Sequence, residues 1–134
     1  MSYLLDTSTI IDLLRGNQAI KDFIASHLED IFVTSCICEA EIAEGIYREK
    51  EENIKMRKTQ LKQLFSSFYQ VLPFDSKQAD IAGRIRAELG KEGRLIDDLD
   101  ILIAAACLSF PATIITKNAK HFSRVKNLQI CDCF

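Results

Sequence analysis

The chain has 134 residues, 48% hydrophobic and 27% charged, which is the composition of one globular domain, 1–134, with enough apolar side chains for a buried core. Its formal net charge of -2 excludes the broad basic surface of most dedicated nucleic-acid binders, so contact with RNA would need a local group of cations. No apolar run reaches the roughly 18 residues of a membrane span, and no signal peptide opens the chain. We therefore expect a cytoplasmic protein.

Short apolar runs alternate with helical patterns along the chain. The apolar runs predict strands at 2–5, 31–33, 69–72, 113–116 and 128–130. The helical patterns predict one helix from a cap at Thr7, Ser8 or Thr9 to Gly16, and others at 19–27, 35–48 with Ser35 as cap, 53–68, 75–89 with Asp75 as cap, and 98–110. Strands separated by helices predict a parallel sheet with helices on both faces.

Ligand sites of parallel α/β folds lie beyond the carboxyl ends of the strands. Asp6 and Asn118 follow the first and fourth predicted strands directly. We therefore expect these two side chains to lie at the same edge of the sheet.

Three acidic residues stand at the edges of apolar runs, where an unpaired charge is costly. Asp6 ends the first strand, Glu41 lies on the helix after the second, and Asp100 opens the apolar segment 101–106. Each has an ordinary explanation as a helix cap, a surface residue or a first-turn acid meeting the helix dipole. Together they favour a shared divalent cation, because two such charges about 5 Å apart repel by about 3 kcal/mol at an effective dielectric of 20. Carboxylates suit Mg2+ or Mn2+, which can activate water to hydrolyse phosphodiesters.

Five cysteines, an odd number, argue against a disulfide framework. The two Cys-x-Cys pairs differ from the usual Cys-x2-Cys spacing of zinc sites, and neither histidine stands at a ligand-like distance. The thiols are interpreted as small apolar or inert side chains at Cys36, Cys38, Cys107, Cys131 and Cys133.

Four ordered blocks resemble the PIN domain family. Residues 4–16 read Leu-Leu-Asp-Thr-Ser-Thr-Ile-Ile-Asp-Leu-Leu-Arg-Gly, like the family's opening, and 41–45 resemble its Glu-Leu-x-x-Gly helix. Residues 100–105 resemble its Asp-x-x-Ile-Ala-Ala element, and 116–122 its Thr-x-Asn/Asp ending. The blocks span essentially the whole chain, and the resemblance is greatest to the compact VapC-type toxins of VapBC toxin–antitoxin pairs.

The resemblance implies a three-layer α/β/α fold with a central parallel sheet of four to five strands. It also implies an endoribonuclease that depends on Mg2+ or Mn2+, with Asp6, Glu41 and Asp100 as catalytic and metal-holding acids. Asn118 stands where many members have a fourth aspartate, and His121 where relatives often have an acid. An amide brings no charge, so a second cation would be held more weakly.

Other residues near these positions have two interpretations each. Thr7 orients a ligand or caps a helix. Lys117 and Lys120 bind RNA phosphates or belong to a solvated loop. Asp97 is interpreted as an outer acid of the site or, in the favoured alternative, one of Asp97 and Asp98 is the N-cap of the sixth helix.

The resemblance also implies a homodimer and a small VapB-like antitoxin. We expect an apolar helix of the antitoxin in a groove between the N-terminal helices and the 36–68 helical pair, with a basic side chain in the acidic pocket. Two other classes of protein remain as alternatives. A receiver-like signalling domain fits poorly, because its phosphoacceptor should follow the third strand. A catalytically silent module that binds a cation or peptide is the main alternative.

Overall fold

A single parallel sheet organises the protein, which is described here by a computed structural model covering residues 1–132. Its strands are β1 (Ser2–Leu5), β2 (Ile31–Ser35), β3 (Gln70–Leu72), β4 (Thr113–Ile115) and β5 (Gln129–Cys131). All four pairings are parallel, and the order is β3-β2-β1-β4-β5. The predicted five-stranded parallel sheet is confirmed.

Helices connect the strands. They are α1 (Thr7–Leu14), α2 (Gln18–Ser26), α3 (Cys36–Tyr47), α4 (Glu51–Ser67), α5 (Ser76–Lys91), α6 (Asp98–Ser109) and α7 (Ala119–Phe122). Right-handed crossovers put the connections β1-to-β2 and β2-to-β3 on one face, and those to β4 and β5 on the other. The result is the predicted three-layer arrangement. Within residues 1–132, none of these helices is long and apolar enough to cross a membrane.

The core lies on both sides of β1. Leu4 and Leu5 are fully buried in the central strand, between β2 and β4. On α6 the run 103–107 is almost completely buried, as the apolar pattern predicts. Three of those residues are alanines, and their small side chains let α6 pack closely between α5 and the sheet. This packing fixes the start of α6, and hence Asp100, relative to the strand ends.

The N-cap residues of three helices can be compared with those predicted from the sequence. Ser35 and Asp75 are the N-caps of α3 and α5, as predicted. For α1 the three hydroxyl candidates were wrong and the explanation of Asp6 as a helix cap is confirmed: the Asp6 side chain accepts the capping hydrogen bond. An aspartate in extended backbone is as good a cap as serine, and Asp6 leaves β1 in that conformation. The helix α7 was not predicted, because four residues are too few to show a helical period.

Two cysteine thiols lie deep in the core. Burial raises the pKa of Cys38 and of Cys107 to about 12. The thiolate is the reactive form, so neither side chain reacts readily near neutral pH. This agrees with their interpretation as inert apolar groups. Cys133 lies outside the described residues.

Candidate active site

Asp6 is held at the carboxyl end of β1 by three donors. Only 4% of the residue is exposed. Its Oδ1 accepts from the Thr9 backbone N–H at 2.9 Å and from the Ser8 hydroxyl at 2.8 Å, while Oδ2 accepts from the Thr116 hydroxyl. Asp6 is therefore both a helix cap and a buried carboxylate at the predicted edge of the sheet.

Thr116 connects β4 to this carboxylate. It is 1% exposed, and its hydroxyl oxygen also accepts from the Asn118 backbone N–H at 2.8 Å. Asn118 is thus fixed beyond the end of β4, next to the strand end that carries Asp6. The sequence pattern identified Thr116 only as part of the block 116–122 that resembles the PIN family. It did not predict that the Thr116 hydroxyl donates a hydrogen bond to Asp6. The signal available was a polar residue inside an otherwise apolar strand pattern.

Glu41 lies on α3 and is oriented by Thr7. The Thr7 hydroxyl donates to Glu41 Oε1 at 2.7 Å, so Thr7 positions an acid and does not cap α1. Burial raises the pKa of Glu41, and the charges of Asp100, Asp97 and Asp6 raise it further against the opposing effect of the Thr7 bond. The negative charges of the other acids therefore disfavour the ionised form of Glu41.

Asp100 lies in the first turn of α6 and faces the side chains of Asn118, the N-cap residue of α7, and of His121 in α7. Its Oδ2 is 3.4 Å from His121 Nδ1 and 3.5 Å from Asn118 Nδ2, and these two nitrogens are 3.0 Å apart. Burial raises the pKa of Asp100; the hydrogen bond with His121 opposes this, and Asp97 adds to it. The contacts are long, so this side of the site is held more loosely than Asp6.

The acids form one negative region, but the structure does not arrange them as a finished metal cage. Within residues 1–132, no three His, Cys, Asp or Glu side chains are placed so that they could hold one metal ion. Binding of one ion by Asp6, Glu41 and Asp100 therefore stays a prediction. The donor chemistry fits a hard cation, since carboxylate oxygens suit Mg2+ or Mn2+. Burial raises the pKa of Glu41 and of Asp100 most, and the charges of neighbouring acids add to this.

The two acids before Asp100 have different surroundings. Asp97 occupies the N-cap position of α6 without a side-chain capping bond, and its charge raises the pKa of both Glu41 and Asp100. Asp98 points elsewhere and pairs with Arg86 at 3.1 Å. Asp97 thus lies near the site and also occupies the cap position, so the two alternatives given for it are compatible.

The two lysines predicted to bind substrate also differ. The Lys117 ammonium lies 2.7 Å from Asp12 Oδ2. Lys120 is exposed on α7. Phosphate binding by either residue stays a prediction.

A groove of about 360 Å3 leads away from Glu41 between α1, α3 and α4. Its lining combines apolar side chains with charged ones of both signs, and includes Ile11, Leu14, Arg15, Ile42, Glu49 and Arg57. The groove has the predicted location, between the N-terminal helices and the 36–68 pair.

Comparison with known proteins agrees with this fold. The PIN domain model matches residues 3–128. The chain therefore belongs to the PIN domain family.

Its similarity within the family is to VapC ribonucleases. Ribonuclease VapC of Rickettsia bellii is 31% identical over 97% of this chain and 95% of its own length. The tRNA(fMet)-specific endonuclease VapC of Shigella flexneri is 33% identical over 72% of this chain and 74% of its own length. The structure of VapBC-1 from nontypeable Haemophilus influenzae matches with a TM-score of 0.87 and 31% identity, covering 98% of both chains. VapBC2 of Rickettsia felis, bound to a promoter DNA fragment, matches with a TM-score of 0.86 and 25% identity over 98% of both chains.

Proposed function

We propose that this protein is an endoribonuclease that needs Mg2+ or Mn2+ and acts in the cytoplasm as the toxin of a type II toxin–antitoxin pair. The observation that carries the proposal is the placement of three partly or fully buried acids: Asp6 at the end of β1, Glu41 on α3 and Asp100 on α6. They lie near enough for the charges of Asp6 and Asp100 to add to the burial that raises the pKa of Glu41. A VapC ribonuclease fold explains why such a costly group of carboxylates is kept. A cation held by Asp6, Glu41 and Asp100 would polarise a phosphate and lower the pKa of a bound water.

Hydroxyl side chains of this protein hold the carboxylates of Asp6 and Glu41 in fixed orientations. The hydroxyls of Ser8 and Thr116 fix the direction of both Asp6 oxygens, and Thr7 does the same for Glu41. Glu41, with its raised pKa, is suited to accept the proton of the attacking water. Asn118 offers an amide to Asp100 without adding charge, which favours a single tightly held cation.

The partner of this site is proposed to be a small VapB-like antitoxin. Relatives of this chain have been solved as VapBC toxin–antitoxin complexes. The groove beside α1 offers an apolar floor for a helix of the antitoxin, and Glu41 at its end offers a carboxylate for an arginine or lysine of that partner. A homodimer is proposed on family resemblance.

A matched pair of variants on α6 tests the activity. Purified protein is expected to cleave single-stranded RNA with Mg2+ or Mn2+ and to stop in EDTA. Asp100→Asn should lower the cleavage rate by at least about a hundredfold, because it removes a charge that faces the site. Asp98→Asn, two residues away and paired with Arg86, should retain the rate.

Cleavage that persists in EDTA, or equal rates for the two variants, would contradict the proposal. Binding of Mn2+ without any cleavage of RNA would instead favour the silent cation-binding module.

A further inference from the structure

The loop after β4, residues 116–118, is attached to α1 by a series of polar contacts. Thr116 donates to Asp6 at the start of the helix. The Lys117 backbone N–H donates to the Ser8 hydroxyl at 3.3 Å, and the Lys117 ammonium lies 2.7 Å from Asp12. A single residue, Lys117, therefore contacts α1 with both its backbone and its side chain.

These contacts lie on one face of α1. Ser8 and Asp12 are four residues apart, so their side chains stand one above the other on the helix surface. The Asp12 side chain is only 15% exposed, whereas that of Lys117 is 48% exposed. The carboxylate is thus partly enclosed and would lose its cationic partner if Lys117 swung towards solvent.

We propose that Asp12 and Lys117 are positioning residues, which hold the loop 116–118 on α1 so that the hydroxyls of Ser8 and Thr116 stay on the Asp6 carboxylate. The proposal deepens the proposed function, on which it rests. Half-exposed ion pairs contribute little to global stability, so the effect of this one is on local geometry. It gives Lys117 a different role from the phosphate contact predicted from sequence.

Hydrogen exchange tests the geometry without reference to catalysis. Three amides report on the contacts: Thr9 bonds to Asp6, Lys117 to Ser8, and Asn118 to Thr116. Asp12→Asn and Lys117→Met keep the side-chain size and remove the ion pair. Each should exchange at least about fivefold faster at these amides than the wild type. Lys91→Met, an exposed lysine at the end of α5, is the control and should exchange as the wild type.

Metal affinity and kinetics test the consequence. Mutation of residues that orient metal ligands through hydrogen bonds typically lowers the affinity for the metal by about 10- to 100-fold. Asp12 and Lys117 act one contact further from the metal ligands. We expect the Kd for Mn2+, measured by the EPR signal of free ion, to rise about fivefold in both variants. The kcat for RNA should fall with it, while KM stays within about twofold. Lys117→Arg, and the exchanged pair Asp12→Lys with Lys117→Asp, should restore most of the affinity.

Two results would overturn the proposal. One is unchanged amide exchange in Asp12→Asn. The other is a raised KM in Lys117→Met with no effect of Asp12→Asn, which would make Lys117 a phosphate contact. If the wild type does not cleave RNA but the three amides still exchange faster in both variants, the positioning role stands and the proposed nuclease function fails.

Discussion

Asp6 and Asp75 occupy equivalent local positions in this protein. Each follows a strand region in extended backbone, each caps a helix, and each accepts a hydrogen bond from the backbone N–H three residues later at 2.9 Å. Asp75 is exposed, whereas Asp6 is buried and receives two further hydroxyl donors. The local chemistry of the two caps is the same, and their surroundings differ completely.

The difference comes from contacts that are distant in sequence. Thr116 reaches Asp6 across 110 positions of the chain, because β4 lies beside β1 in the sheet. The cap interpretation and the site interpretation of Asp6 are therefore compatible. A cap residue becomes a candidate ligand when the sheet brings other polar strand ends to it.

Asparagine at the two caps should separate these roles most strongly. Asn caps helices as well as Asp does, so neither Asp6→Asn nor Asp75→Asn should unfold the protein. Asp6→Asn removes a charge from the site and should lower RNA cleavage by about a thousandfold or more, whereas Asp75→Asn should have no effect. Single-turnover cleavage rates and circular dichroism check both. Full cleavage activity in Asp6→Asn would mean that Asp6 acts only as the cap of α1.

Alanine at the same positions should separate their contributions to stability. Asp75→Ala is expected to lower the free energy of unfolding by about 1 kcal/mol, the usual value of an N-cap. Asp6→Ala should cost about 3 kcal/mol, because the buried Thr116 hydroxyl also loses its acceptor. Urea denaturation in EDTA measures both. Equal costs would contradict a structural role for the additional hydroxyl donors.

Asn118 lies on the more loosely held side of the site, beside Asp100. Asn118→Asp adds a carboxylate beside Asp100 and should raise the affinity for Mn2+ about tenfold, equivalent to about 1.4 kcal/mol. Asn17→Asp, at the N-cap of α2, is the matched control and should leave the affinity unchanged. Isothermal titration provides the measurement. Unchanged affinity in Asn118→Asp would remove Asn118 from the site.

The smallest expected effect is the pH dependence of stability. The pKa values of Glu41 and Asp100 are raised above the usual 4.5 and 3.8, so near those pH values the native state binds more protons than the unfolded state. In EDTA the free energy of unfolding should therefore fall as pH rises through the raised pKa values. Glu41→Gln should weaken this fall, as measured by urea denaturation from pH 4 to about pH 8. A flat profile in the wild type would contradict the coupling of the acids.

Sequence patterns predicted the fold well where the signal was local. The apolar run after Asp100 predicted a buried helix, and β1 has the predicted bounds. Strand ends elsewhere shifted by one or two residues: β5 is Gln129–Cys131 rather than 128–130. The helix α5 continues through Gly90 and ends before Gly93, whose positive φ of 65° suits glycine.

The site was predictable in its residue types and not in its contacts. Asp6, Glu41 and Asp100 stood out because charged residues bordered apolar runs. The contacts of these acids were not predictable, since Thr7, Thr116 and His121 reach them from other elements. The same holds for Asp12 with Lys117, which lie 105 positions apart. Such pairs are decided by the strand order, which no local pattern contains.

The central place of β1 has a consequence for synthesis on the ribosome. The strand β1 is translated before the other strands of the sheet. Its neighbour β4 and the Thr116 hydroxyl are translated more than a hundred residues later. Until that segment emerges, the nascent polypeptide cannot complete the pocket around Asp6. Folding of this site during translation is therefore expected to follow the emergence of β4 rather than that of the first strand.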